Sequence, residues 1–100
     1  MNEIKKVSEI TYQDIADYIR LTEITEEEQN TLKNLLNISI NFIKDYTGQL
    51  QENLDNYSDF VIVVFILCQD MWDNRTLYVD KSNLNKVVET ILGMHSINLL

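Results

Sequence analysis

His95 is the only histidine in this chain of 100 residues and Cys68 the only cysteine, so acid-base or nucleophilic chemistry would rest on single side chains. A Ser-His-Asp or Cys-His arrangement would depend entirely on His95, in the terminal segment, and no Gly-framed nucleophile stands elsewhere to serve it. Two acid pairs, Asp14 with Asp17 and Asp70 with Asp73, fall at i, i+3, which sets two carboxylates on one helix face. Such a pair could hold a hard cation or divide into acid and base. The same spacing describes solvated helix faces and helix-start charges, and we read the pairs that way. Cys68 lies inside the apolar run Phe60–Cys68, where it can form neither an intramolecular disulfide nor a zinc cluster. It reads as core packing and fits a reducing cytoplasm. There is no Gly-rich phosphate loop, dinucleotide fingerprint or metal-ligand spacing. The expectation is a protein without catalysis, cofactor or metal.

Residues that bind rather than react are the better candidates. Tyr46 and Trp72 could anchor a partner, since aromatics dominate interface hot spots, but at helical spacing they read first as core or core-edge residues. Arg75 closes Trp72-Asp73-Asn74-Arg75, just past an apolar segment. Its five-donor fork could tie down carbonyls at a helix end, pair with a carboxylate of the first hairpin, or reach another subunit.

The elements that must position these residues follow from composition. With 45% apolar residues, no proline and two glycines, the chain has enough for one core in one domain and few places to stop a helix. Eight Lys and Arg stand against 16 Asp and Glu, and no basic cluster exists to neutralise phosphates, which argues against a sequence-reading DNA binder. The start lacks the apolar stretch of a secretory signal. The longest apolar run is shorter than the roughly 20 residues a membrane span needs, so a soluble protein is expected.

Thr11 with Asp14 predicts an N-cap, and a first helix over about 12–20 places Ile15, Tyr18 and Ile19 on one face. Thr25-Glu26-Glu27-Glu28 is a capping box with acids at the positive end of the helix dipole. From there Leu32, Leu35, Leu36, Phe42, Ile43 and Tyr46 form a stripe with small Ser39 in its middle, and Gly48 ends it. That second helix is a rod of about 31 Å. Residues 49–58 read as a polar loop closing on Ser58 as the next N-cap. The run from Phe60 could be a buried strand, but no second such run exists to pair with it, and it continues through Met71 and Trp72. A helix at the centre of a bundle is therefore expected. A last helix starts at Ser82 or Asn83, uses Leu84, Val87, Val88, Ile91 and Leu92, and stops at Gly93. An apolar tail, Met94–Leu100, follows. The fold class is all-α, a compact bundle of about four helices in a single domain, 1–100.

The order of these pieces resembles the head-tail connector (adaptor) family of tailed bacteriophages and prophages. The resemblance rests on the short helix context Ile10–Leu21, on Phe42-Ile43-Lys44-Asp45-Tyr46-Thr47-Gly48 with its Tyr-Thr-Gly corner, and on Met71-Trp72-Asp73-Asn74-Arg75. It covers roughly residues 7–92. Trp72 stands where the family often has Tyr, residues 49–57 are acidic and amidic, and the tail lacks a basic, Arg-bearing ending. The resemblance implies about four helices and a non-catalytic subunit that assembles with copies of itself as a ring under the portal protein. Such a ring extends the DNA channel and presents a surface to the next neck or tail component, and the subunit resides in the virion neck after assembly in the host bacterial cytoplasm. Tyr46, Thr47, Gly48, Trp72 and Arg75 are then expected to hold the fold. An acidic lumen would let DNA slide without sequence-specific binding, and the tail, through Met94, Ile97, Leu99 and Leu100, would order against a neighbour or the portal. The rival readings are a small acidic regulator of the DNA-mimic or anti-repressor type and a simple helical dimer.

Overall fold

Helix starts are set by side chains that satisfy the orphan amides of a first turn. In the computed structural model, which describes residue 4 and residues 6–97, Thr11 and Asp14 form a reciprocal box ahead of α1 (Tyr12–Ile19). Thr25 and Glu28 do the same ahead of α2 (Glu26–Thr47), at 3.0 and 3.1 Å. The chain continues through α3 (Phe60–Asn74) and α4 (Lys86–Met94). Short 3-10 helices lie at Val7–Glu9, Gln51–Asn56 and Lys81–Asn83. There is no strand among the described residues.

The strand-like run is helical, as expected, and it is the hub. Eight of the 15 residues of α3 are buried, and α1, α2 and α4 all pack on it. Leu32, Leu35 and Ile43 of α2, Ile15 and Ala16 of α1, and Val88 and Leu92 of α4 meet Phe60, Val64 and Leu67 in one core. Tyr18 stacks on Phe65 with ring centroids 5.0 Å apart. At mid-length of the α2–α3 hairpin, buried Ser39 Oγ lies 3.4 Å from Cys68 Sγ. The small hydroxyl lets the two helices approach and forms a hydrogen bond with the thiol in which either group can donate. Burial pushes the Cys68 thiol up from 9.0 to about 11.

Four local expectations need correction. Arg20 is not helical but adopts the left-handed conformation, φ 70°, that ends α1, and half-buried Leu21 donates its N–H to Ala16 O. Ser58 is not the cap of α3. That position belongs to Asp59, whose carboxylate turns to His95 rather than to the helix amides. Residues 49–58 are not simply a polar loop, because the Gln51–Asn56 turn drives Leu54 into the core with no exposure. Its Asp55 accepts from the amide and hydroxyl of Ser8 at 2.9 and 2.6 Å, which pulls its carboxyl below the ordinary value.

The last helix begins and ends later than expected. Asp80 caps the short Lys81–Asn83 turn, and Asn85 Oδ1 accepts the amides of Val87 and Val88 to start α4. Gly93 is an ordinary helical residue, so Met94 belongs to the helix rather than to a tail. The terminating contacts come from beyond it, where Ser96 Oγ donates to Leu92 O at 2.7 Å.

Candidate functional site

The residues singled out in the sequence fall into two groups at opposite ends of α2. Tyr46, Thr47 and Gly48 form one corner. Tyr46 is half-buried against Phe42, with Lys81 Nζ 5.7 Å from its ring centre. Thr47 is buried, and its Oγ1 donates to Ile43 O at 2.6 Å and accepts from the Gln49 amide at 3.2 Å. Gly48 has φ 75°, a conformation that favours glycine because an L side chain there meets its own backbone.

This corner holds residues 95–97. Thr47 O accepts the Ile97 amide at 2.7 Å, and Gln49 Nε2 donates to His95 O at 2.8 Å. The His95 ring lies against Tyr57, centroids 4.3 Å apart, and edge-on to Phe60, with Nε2 at 2.9 Å from Asp59 Oδ2. Residues 95–97 thus find their partners within their own chain. Met94 stays 65% exposed and Ile97 44%. Leu99 and Leu100 lie outside the described residues. The His95–Asp59 pair ties two segments together by hydrogen bond and ring contact.

Trp72 and Arg75 stand at the other end. Arg75 ends α3 in the left-handed conformation, φ 57°, with its amide directed to Met71 O and Trp72 O, and Thr76 N–H completes the cap to Met71 O at 3.0 Å. Backbone, not guanidinium, does the tying. The Arg75 side chain is exposed and makes no hydrogen bond or ion pair among the described residues. It borders a cleft of about 280 Å³ whose floor includes Leu35, Met71 and half-buried Trp72, between Glu27 and Glu28 on α2 and Leu77 past α3. The sequence reading assigned those glutamates to the helix dipole and passed over Leu77. A bulky apolar residue placed directly after a helix stop, 63% exposed in the fold, was the signal available.

The acid pairs behave as helix charges. Asp14 serves its capping box and Asp17 accepts from Gln13 Nε2 at 3.0 Å. Asp70 borders a smaller hollow of about 90 Å³ with Asn74 and Asp80. Partial burial and the neighbouring Asp73 raise its carboxyl above the ordinary value. No three His, Cys, Asp or Glu side chains are grouped to hold a metal ion among the described residues, and no described helix is long and apolar enough to cross a membrane. Compared with protein-family models, curated proteins and solved structures, the chain matches none.

Proposed function

We propose that this chain is a structural virion assembly protein, a head-tail connector that forms a ring between portal and tail and extends the DNA channel without catalysis. The observation that carries the reading is how the two corners behind the resemblance are built. Tyr46-Thr47-Gly48 fixes the turn from α2 and pins residues 95–97, and Trp72–Arg75 ends α3 beside a cleft at the far end of the same hairpin. A ring subunit must meet its neighbours laterally and other components axially, so it needs separate contact surfaces. Exposed apolar side chains are available for such contacts, Val87 and Met94 on α4, and Leu77 and Tyr78 beyond α3. The excess of 16 acidic over 8 basic residues suits a channel wall that repels phosphates and lets DNA pass.

The deciding experiment mixes the purified protein with the portal oligomer encoded in the same genome and images the mixture by electron microscopy. The expected result is extra ring density coaxial with the portal, from a gene lying just downstream of the portal, protease and major capsid genes. A tight dimer that ignores the portal and binds a repressor instead would overturn the proposal.

A further inference from the structure

The cleft at the end of the α2–α3 hairpin has no occupant among the described residues. Its floor is apolar, with Leu35 and Met71 buried and Trp72 half-buried, and Leu77 stands largely exposed at its edge. At about 280 Å³ it falls just under the usual range for small-molecule pockets and suits one or two anchoring side chains of a protein segment. The walls are charged unequally. Glu27 and Glu28 line the α2 side. Arg75 alone opposes them, with exposed Asp73 close by in sequence.

We propose that this cleft docks a basic, amphipathic segment of another protein, which seats an apolar side chain against Trp72 and Leu77 and turns its lysines or arginines toward the α2 wall. Charge complementarity selects this occupant. A second copy is the poorer occupant of this particular cleft, because the Glu27–Glu28 wall calls for basic side chains and the chain has 8 Lys and Arg against 16 Asp and Glu to offer. A basic segment gains from apolar burial and from the field that steers it in, and the unpaired Arg75 guanidinium sets its direction by repelling the basic side. The inference goes beyond the ring reading and stands or falls separately from it.

Trp72 is the only tryptophan, so its emission reports on this cleft alone. Two synthetic amphipathic helical peptides with identical leucine spacing, one with lysine and one with glutamate at the polar positions, are titrated into the whole protein. The lysine peptide is expected to shift Trp72 emission saturably, and the glutamate peptide to leave it unchanged. Glu27→Lys is expected to weaken binding at least about tenfold, an effect of about 1.4 kcal/mol. It should leave the helical circular dichroism intact, since Glu28 rather than Glu27 closes the capping box. Glu89→Lys, on exposed α4 surface, serves as the control for the overall field and should change affinity less than about twofold. Leu77→Ser, at an exposed position that cannot threaten folding, should also weaken binding. The proposal is overturned if the lysine peptide gives no saturable response, if the glutamate peptide does equally well, or if the two charge reversals weaken binding alike. Emission that moves with protein concentration alone would hand the cleft to a second copy and equally overturn it.

Discussion

Three helix ends among the described residues use the left-handed conformation, and one of the three has the residue suited to it. Gly48 sits at φ 75°, but Arg20 and Arg75 sit at φ 70° and 57°. An L residue there brings Cβ against the following carbonyl at a cost of about 1–2 kcal/mol. Glycine escapes that cost but loses about 0.5–1 kcal/mol more chain entropy on folding. Arg75→Gly should therefore stabilise the fold by about 0.5–1 kcal/mol, since the exposed guanidinium has no bonded partner among the described residues. For a domain of this size that is a rise of about 2–8 °C in Tm. The reciprocal change, Gly48→Ala, should lower stability by about 1 kcal/mol through conformation alone, because its Cβ would meet Ile97 Cβ at 3.7 Å, an ordinary contact. Thermal melts followed by circular dichroism, with urea midpoints as a check, read both changes. If Arg75→Gly were destabilising by more than about 0.5 kcal/mol, the guanidinium would be holding the fold and the backbone account of this cap would be wrong.

Leu54→Ala should cost about 2–5 kcal/mol in a urea titration, although it lies between two helices, because its side chain is wholly buried; a loss under about 1 kcal/mol would remove this turn from the core. Asp55 and Asp70 should respond to pH with opposite signs. Asp55 is lowered below 3.8 by its bonds from Ser8, so its stabilising contribution is present above the unfolded value and is lost as pH falls through the folded one. Asp55→Asn should accordingly destabilise at neutral pH, with the difference closing below about pH 4. Asp70 is raised above 3.8, so folding favours its protonated form and its ionisation costs stability as pH rises. Asp70→Asn should be neutral or stabilising at pH 7, and melting curves of both variants across pH 2–7 check the two signs. For Cys68, the rise from 9.0 to about 11 lowers the thiolate fraction at pH 8 by about 100-fold. A thiol reagent should therefore modify the native protein at least about 100-fold more slowly than the urea-unfolded chain, with burial slowing it further.

The parts of this fold legible in the sequence are those written in short-range patterns. Thr25 with Glu28 and Thr11 with Asp14 read directly as caps, and the spacing from Leu32 to Tyr46 gave α2 and its buried face. The run from Phe60 could be assigned to a helix because a lone strand has nowhere to send its amides. What escaped depends on contacts distant in sequence. Leu54 is one apolar residue in a polar stretch and creates no period. Ser58 reads as the cap before α3, whereas Asp59 holds that position with its carboxylate claimed by His95 from 36 positions away, a contact no local pattern displays. Gly93 looked like a stop only because the contacts that end α4, Ser96 with Leu92 and His95 with Asp59, lie beyond it. The cleft was hidden for the same reason, as Glu27 and Leu77 come together only when α2 and α3 fold back on each other.

The left-handed arginines also bear on where to look for function. Strain at a helix end is by itself weak evidence, and the two sites show why. Arg20 and Arg75 carry the same backbone conformation, so conformation cannot separate a functional residue from an unoptimised one. Their surroundings can. Arg20 ends α1 with Leu21 folded onto the core behind it, an arrangement that explains the cap without calling on the guanidinium. Arg75 ends α3 at the mouth of an apolar cleft whose opposite wall is acidic, yet it pairs with nothing among the described residues. Glu28 is engaged in its capping box, so the Arg75 guanidinium and the Glu27 carboxylate are the charges this cleft offers to a third party. Local consistency is expected to fail where a site is being kept for something else, and Arg75 borders the cleft proposed above as such a site.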